Sequence, residues 1–296
     1  MADNCFDHHQ TISAKAPFII NGRPYDFYSR TFIMGIVNLT PDSFSGDGLF
    51  STTNYIDQAL KQAERMIADG ADFLDVGAES TRPHAPKVSE SEEEKRLLPV
   101  VKELISAVKV PISIDTYKPR VAAKAIHLGA AMINDIWGLK APDDPEHRMA
   151  QVIAEAKLPV IVMHNQAEPV YRNIMQEIVT SLADSIQIAA NFGFPVERMI
   201  IDPGIGFGKT YQDNLVVLYH LAELQVLGRP VLLGTSRKSV VGLTLDLPVA
   251  ERLEGTLATC IWGVTKGAHI LRVHDVKAVF RAVRMCDAIR CAGDRE

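Results

Sequence analysis

The sequence predicts an α/β fold: a single (β/α)₈ TIM barrel with a short N-terminal hairpin. Three observations predict it. Eight short apolar segments recur along the 296-residue chain, amphipathic stretches lie between them, and polar residues follow nearly every apolar segment. Barrels of roughly 250 residues commonly form one domain, and no Pro/Gly/Ser-rich linker divides this chain. An open, doubly wound sheet is the alternative fold.

The eight apolar segments are the predicted strands. They are rich in β-branched residues and apolar throughout, as expected of parallel strands that are buried on both faces. The segments are residues 32–37, 73–76, 111–114, 132–133, 160–163, 199–201, 231–233 and 270–273.

Segments with helical periodicity lie between these predicted strands. In residues 55–68, for example, Ile56, Leu60 and Ile67 fall on one helical face. The predicted helices are residues 55–68, 91–108, 174–192, 214–224, 251–266 and 276–289. Glycines at 70, 129, 193 and 267 follow predicted helices and precede strands, as helix-ending glycines do. Residues 18–28 contain an Asn-Gly turn and predict a hairpin ahead of the barrel, at a place in the chain from which it could close the N-terminal end.

Composition narrows the class of protein. The net charge is −5, without the basic patch of a nucleic-acid-binding protein. No apolar run reaches the ~18 residues of a membrane span, and the polar start does not read as a signal peptide. The four cysteines lack metal-site or paired spacing, which favours reduced thiols in a cytoplasmic protein. Residues 1–15 are predicted as a flexible tail, and residues 16–296 as the domain.

Polar residues stand where the predicted strands end. In a barrel of this type the active site forms at the C-terminal ends of the strands. These ends carry Asn38, Asp75, Asp115, Asn134-Asp135, His164-Asn165, Asp202, Ser236–Ser239, Arg272 and His274-Asp275. Any one of them could be a turn former or a helix cap. Burying all of them together is costly unless a polar ligand satisfies them, so the sequence predicts a ligand site at this rim.

Charge divides the predicted rim into two sides. Strands seven and eight supply Arg237, Lys238, Arg272 and His274, and barrel phosphate sites are usually built from the loops after those strands. Strands three, four and six supply the acceptors Asp115, Asn134 and Asp202. Such acceptors suit a flat heterocycle with amino and ring N–H donors. The rim therefore predicts a polyphosphate beside a nitrogen-rich ring.

The glycine-rich loop after strand six resembles a phosphate-binding motif only superficially. Residues 204–210 read GIGFGKT, but a P-loop needs its first glycine at 203, where Pro203 stands. The third glycine also comes one residue too early for a dinucleotide fingerprint. The alternative interpretation is a flexible loop.

Several ordered motifs resemble those of dihydropteroate synthases. Residues 34–45 (MGIVNLTPDSFS) and 75–83 (DVGAESTRP) are similar to the first two signatures of that family. Shorter matches follow in order at residues 114–116, 134–136, 201–207, 236–239 and 272–275. The resemblance spans about residues 30–290 and implies an enzyme that joins a hydroxymethyl-dihydropterin diphosphate to p-aminobenzoate in folate biosynthesis.

The resemblance also implies roles for individual residues. The pterin ring would be held by Asp115, Asn134, Asp202 and Lys238, and the diphosphate by Thr81, Arg272 and His274. Asn38 would bind a Mg²⁺ ion that also binds the diphosphate. The p-aminobenzoate site would involve Phe44, Arg82, Pro83, Phe207 and Ser239. The catalytic set would be Asp115, Asp202, Lys238 and Arg272. The family further implies a homodimer.

The sequence departs from the family pattern in one loop, and three other functions are alternatives. The family often reads DSFSDGG in the first loop, whereas residues 42–48 read DSFSGDG, so the role of Asp47 is open. The rivals are a pterin-binding methyltransferase domain, a Schiff-base aldolase that uses Lys238, and a non-catalytic homologue that binds pterin.

Overall fold

A computed structural model describes residues 17–39, 52–79 and 87–293 of the chain. Its strands are β1 (Phe18–Ile20), β2 (Arg23–Tyr25), β3 (Phe32–Asn38), β4 (Phe73–Gly77), β5 (Ile112–Asp115), β6 (Met132–Asp135), β7 (Val160–Met163), β8 (Met199–Asp202), β9 (Leu232–Leu233) and β10 (Ile270–Val273). Eight of them form one parallel sheet in the order β8-β7-β6-β5-β4-β3-β10-β9. A parallel bridge between Ile201 and Val231 joins the two ends of this sheet. The predicted barrel is confirmed, and the alternative of an open, doubly wound sheet is wrong.

The predicted hairpin is also present, as the antiparallel pair β1 and β2. Its turn needs two residues in the left-handed region, which Asn21 at φ 49° and Gly22 at φ 73° supply. Phe18, Ile20 and Phe27 are buried against the first interior residues of the barrel strands. The hairpin therefore closes the N-terminal end of the barrel.

Helices surround the barrel. They are α1 (Thr52–Ala68), α2 (Glu90–Ala107), α3 (Pro119–Leu128), α4 (Arg148–Ala156), α5 (Ile174–Asn191), α6 (Tyr211–Tyr219), α7 (Ser239–Leu245), α8 (Leu253–Thr265) and α9 (Val276–Gly293). The glycines predicted to end helices all have positive φ, at 107° for Gly70, 112° for Gly129, 76° for Gly193 and 94° for Gly267. No helix in the described ranges is long and apolar enough to cross a membrane.

Two aspects of the helix prediction were wrong. The predicted helix 214–224 is instead α6, which begins at Tyr211, followed by a 3₁₀ helix at Leu221–Leu227. Helices α4 and α7 were not predicted, and α3 was indicated only by the helix-ending Gly129, because at 9, 7 and 10 residues these helices carry few periodic positions. Pro119 at the start of α3 was the available signal, since proline favours the first turn of a helix.

The apolar strand residues alternate between two separate cores. One set, such as Ile33, Val76 and Leu271, packs outward against the helices. The residues that alternate with them on the same strands, such as Phe32, Phe73 and Ile270, fill the barrel interior near the hairpin. Both faces of each strand are thus buried, which explains why the strands lack an apolar-polar pattern. The alternation also decides which strand-end polar residues face the interior.

Candidate active site

The interior positions become polar towards the C-terminal ends of six strands. Following the alternation of the two cores, the interior residues there are Asn38, Asp75, Asp115, Asn134, Asp202 and Arg272. The strand register sets Asn38 beside Gly77, Gly77 beside Asp115, and Asp115 beside Asn134. A Cβ at Gly77 would lie 3.1 Å from the Asp115 Cβ, so glycine leaves room for that carboxylate. Two of the sequence-predicted acceptors, Asp115 and Asn134, are therefore neighbours in the fold.

Arg272 lies at the centre of this cluster. Its Nε donates to Asp75 Oδ2 at 2.6 Å, and its Nη2 donates to Asp115 Oδ2 at 2.7 Å. Asn134 Nδ2 also donates to Asp75 Oδ2, at 2.9 Å. Because its nitrogen is engaged there, the Asn134 amide has its oxygen left as an acceptor. Arg272, which was predicted for the diphosphate, thus also holds the carboxylates of the ring side.

Asp75 is a central residue that sequence reasoning noticed but did not assign to the site. It is completely buried, and it accepts hydrogen bonds from both Arg272 and Asn134. Its Oδ1 and the Ser113 Oγ, on register-paired residues, are buried without hydrogen-bond partners among the described residues. Asp75 occupies an interior position two residues before Gly77. That alternation was the signal that could have revealed it.

Burial sets the protonation behaviour of Asp115. Desolvation raises the pKa of this carboxyl to about 7; the Arg272 guanidinium opposes the rise, and the nearby Asp75 carboxylate adds to it. The two carboxylates in turn raise the pKa of Arg272 above its usual value against the effect of burial. Arg272 therefore remains charged while Asp115 titrates near neutrality.

A second group of residues gathers around Asp202. Its Oδ1 accepts from the Gly204 N–H at 2.7 Å, and burial raises its pKa while the Lys238 ammonium lowers it. Lys238 donates to the Ile205 carbonyl, and its Nζ lies 4.8 Å from the centre of the Phe207 ring. Burial lowers the pKa of Lys238 to about 8, against the attraction of Asp202. This second group combines an acceptor, a cation and an aromatic ring.

The remaining predicted residues lie around these two groups. His274 Nδ1 lies 3.1 Å from Ser236 Oγ, which also accepts from the His274 backbone N–H at 3.2 Å. Ser239 is exposed at the start of α7. Thr81, Arg82, Pro83, Phe44 and Asp47 lie outside the described residues. The 1–15 tail also falls there, so the predicted domain boundary stays a prediction.

Two polar strand ends do not join the interior cluster. Asp135 falls on the outward alternation of β6, and its carboxylate accepts from the backbone N–H groups of Trp137 and Leu139, both at 2.8 Å. It therefore shapes a turn. Arg237 was expected on the cationic side, but it pairs with Asp275 through bonds of 2.9 and 2.6 Å. Arg272 and Lys238 are the cations that adjoin the acceptors.

The fold and this site together define a class of protein. Parallel barrels with their polar groups converging at the C-terminal ends of the strands are enzymes whose chemistry takes place at that rim. Here the rim brings three carboxylates, Asp75, Asp115 and Asp202, close to two half-buried cations, Arg272 and Lys238. The comparisons with known proteins identify the family.

Residues 34–274 match the family described as Pterin binding enzyme. A dihydropteroate synthase from Clostridium beijerinckii is 49% identical over 271 residues, which cover 91% of this chain and 98% of that protein. The crystal structure of a dihydropteroate synthase from Clostridium difficile in the presence of pteroic acid superimposes with a TM-score of 0.85 at 47% identity, covering 90% of this chain and 98% of that one. A Xanthomonas albilineans dihydropteroate synthase with 4-aminobenzoic acid gives 0.86 at 38% identity, covering 94% and 99%.

The chain belongs to the dihydropteroate synthase family of pterin-binding enzymes. The resemblance stated from the sequence motifs is confirmed, as are the barrel and the prediction of a transferase.

Proposed function

We propose that this chain joins 6-hydroxymethyl-7,8-dihydropterin diphosphate to p-aminobenzoate, giving 7,8-dihydropteroate and pyrophosphate, by a dissociative substitution. The family membership supports this reaction, and relatives have been crystallised with pteroic acid and with 4-aminobenzoic acid. The observation that carries the proposal is the interior cluster of Asp115, Asn134 and Asp202 beside the cations Arg272 and Lys238.

The acceptor cluster suits the pterin ring. The ring presents amino and N–H donors on one edge, and the carboxylates of Asp115 and Asp202 and the amide oxygen of Asn134 are acceptors on three strands. Lys238, beside Asp202, would donate to the ring carbonyl. A ring bound there satisfies buried acceptors that are costly to leave without partners.

The cationic side suits the diphosphate. Arg272 has five N–H donors, two of which bind Asp75 and Asp115. The others would meet phosphate oxygens, with His274 at the end of the same strand. Thr81 would join them from the second loop, outside the described residues. Asp75 would not contact the substrate; it would fix the side chains of Arg272 and Asn134 through its hydrogen bonds to both.

The residues present fit a magnesium ion shared with the substrate. Mg²⁺ is usually bound through one or two protein oxygens together with substrate phosphates, without an all-protein cage. Asn38 ends β3 at an interior position and offers one amide oxygen there. In the described ranges, no group of three His, Cys, Asp or Glu side chains is placed to hold a metal. Asn38 would thus hold the ion, which when bound neutralises charge on the leaving group.

The residues account for a dissociative path. The bond between the pterin methylene carbon and the diphosphate oxygen breaks, and its electron pair leaves with the diphosphate, whose charge Arg272 stabilises. The Asp115 and Asp202 carboxylates stabilise the cationic pterin methylene. The p-aminobenzoate nitrogen then bonds to that carbon and releases a proton to solvent. Phe207 and Ser239 would border this second substrate, with Phe44, Arg82 and Pro83 from loops outside the described residues.

Turnover with both substrates tests the proposal. We expect pyrophosphate and dihydropteroate to form in equal amounts with Mg²⁺, and much more slowly once a chelator removes it. Pterin binding without pyrophosphate release would favour the non-catalytic homologue. Borohydride trapping of a carbonyl substrate on Lys238 would favour the aldolase. A covalent pterin–protein adduct during turnover would contradict the dissociative path.

Binding of plain pterin should depend on pH within a narrow window. Asp115, with a pKa of about 7, must lose its proton to accept from the ring, so affinity should rise as the pH passes 7. Lys238, with a pKa of about 8, must keep its proton to donate, so affinity should fall above pH 8. Fluorescence titrations from about pH 5 to 10, corrected for the titration of free pterin, measure both limbs. Asp115→Asn should remove the acidic limb; an unchanged limb would contradict the assignment.

We also propose a cytoplasmic homodimer. Cys260 and Cys286 are buried thiols that form no disulfide, as in reducing compartments. Tyr219 and Trp262 stack with ring centres 6.3 Å apart and remain 61% and 42% exposed, the kind of apolar surface that a partner subunit covers.

A further inference from the structure

Lys209 lies inside the loop that follows β8, and the proposed reaction does not use it. Its Nζ donates to the carbonyl oxygens of Gly204 at 3.0 Å and Phe207 at 3.1 Å. The same nitrogen lies 2.9 Å from Nδ1 of His164. One side chain thus connects the beginning of the loop, its aromatic residue and the end of β7.

In its charged form, Lys209 is the donor in all three contacts. Burial, and after it the Lys209 ammonium, lower the pKa of His164 to about 3, so this imidazole is neutral and Nδ1 can accept. Burial also lowers the pKa of Lys209, to about 7, while the Asp202 carboxylate opposes that change. Three acceptors and the nearby Asp202 carboxylate therefore hold the Lys209 ammonium against the backbone of its own loop.

The loop is pressed closely against the residues that follow β7. A Cβ on Gly204 would lie 2.0 Å from the His164 carbonyl oxygen, and one on Gly208 would lie 2.2 Å from that of Gln166. Tyr171 donates to the Gly208 carbonyl at 2.6 Å. Only glycine permits these approaches, at φ 70° and 52°. A flexible loop was one interpretation of the sequence, whereas the structure ties residues 204–209 down at both ends.

The contacts of this loop reach the whole second group of the site. The Gly204 N–H donates to Asp202, the Ile205 carbonyl accepts from Lys238, and the Phe207 ring lies beside the Lys238 ammonium. The first group, by contrast, is held by ion pairs and hydrogen bonds among its own members, which are Asp75, Asp115, Asn134 and Arg272. The site therefore consists of two groups of residues, and each group is held in place by different contacts.

We propose that Lys209 is a positioning residue that sets the second group of the site, Asp202, Lys238 and Phe207, by holding residues 204–207 in place. It acts on the part of the ring site that Asp202 and Lys238 supply, and it leaves the first group, which includes Arg272, unaffected. This inference rests on the proposed function for the identity of the two ligands.

The test compares Lys209→Met with Lys140→Met. Lys140 is a matched control, because it is also a half-buried lysine with a lowered pKa, yet it donates to Ser181 on α5, at 2.5 Å to the carbonyl and 2.8 Å to Oγ. We expect Lys209→Met to weaken plain pterin binding and raise the KM for p-aminobenzoate by about tenfold each, since buried acceptors lose their donor. Binding of inorganic pyrophosphate with Mg²⁺ should stay within about twofold, because the first group, which includes Arg272, is intact.

The outcomes separate a positioning role from general damage. Equal losses for pterin and pyrophosphate, or the same pterin loss in Lys140→Met, would overturn the proposal. Should Lys209→Met fail to fold, Tyr171→Phe removes the bond to Gly208 and should cause a smaller loss in the same direction; no change in pterin affinity would again count against it. A wild-type chain that binds pterin without turnover would refute the proposed reaction while leaving the pterin test of Lys209 valid.

Discussion

Replacing Arg272 with methionine is expected to weaken binding of the pterin diphosphate far more than binding of plain pterin. The diphosphate loses its main cation, and each charge-assisted hydrogen bond to it contributes about 1.5–3 kcal/mol. The ring loses no direct contact with Arg272 in the proposed geometry, but it meets an Asp115 whose pKa is no longer lowered by the guanidinium. Calorimetric titration with each ligand measures the two losses. Equal losses would contradict the diphosphate role.

The same substitution should also destabilise the fold. Arg272 bonds two carboxylates, Asp75 and Asp115, deep in the barrel. Removing one partner of a buried ion pair typically costs about 3–5 kcal/mol. Arg120→Met is the control, because that arginine pairs with Glu90 and Glu94 while 66% exposed, and such surface pairs contribute about 0–1 kcal/mol. Urea unfolding compares the variants. A loss no larger than that of Arg120→Met would show that the carboxylates do not depend on Arg272.

Asp202→Asn is expected to abolish most pterin binding and leave folding nearly unchanged. The asparagine oxygen can still accept from the Gly204 N–H, so the loop contact survives. An NH₂ group then replaces the oxygen that would meet the donors of the ring. Two donors facing each other in a buried site should reduce pterin affinity by at least about 100-fold. Fluorescence titration measures the affinity, and unchanged binding would refute the pterin assignment.

Asp135→Asn is the matched control for folding. Asp135 is also buried at the end of its strand, but both of its oxygens accept from backbone N–H groups, at 2.8 Å each. An amide there places a donor against a donor in a structural turn, so its thermal midpoint should fall while its pterin affinity stays the same. If Asp202→Asn loses as much stability as Asp135→Asn, the carboxylate of Asp202 supports the fold and its loss of binding is indirect.

Much of the rim can be assigned from the alternation of residues along the strands. In a buried parallel strand, alternate residues point to opposite faces. In β10 the order Ile270, Leu271, Arg272 makes Arg272 interior, and in β6 the order Met132, Ile133, Asn134, Asp135 makes Asp135 exterior. The same alternation in β4 places Asp75 in the interior, so the amino-acid sequence alone contains the signal that adds this residue to the site.

The amino-acid sequence by itself determined the barrel, the hairpin, the family and the polar ends of the strands, because these depend on local periodicity and short motifs. The tertiary structure alone decided that Arg272 bridges Asp75 and Asp115 and that Arg237 pairs with Asp275. It also decided that Lys209 donates to the backbone of the loop after β8. Those pairings join residues as far as 197 positions apart. Which cation reaches which carboxylate depends on barrel closure and on how side chains share a buried space, and neither is encoded in any local pattern.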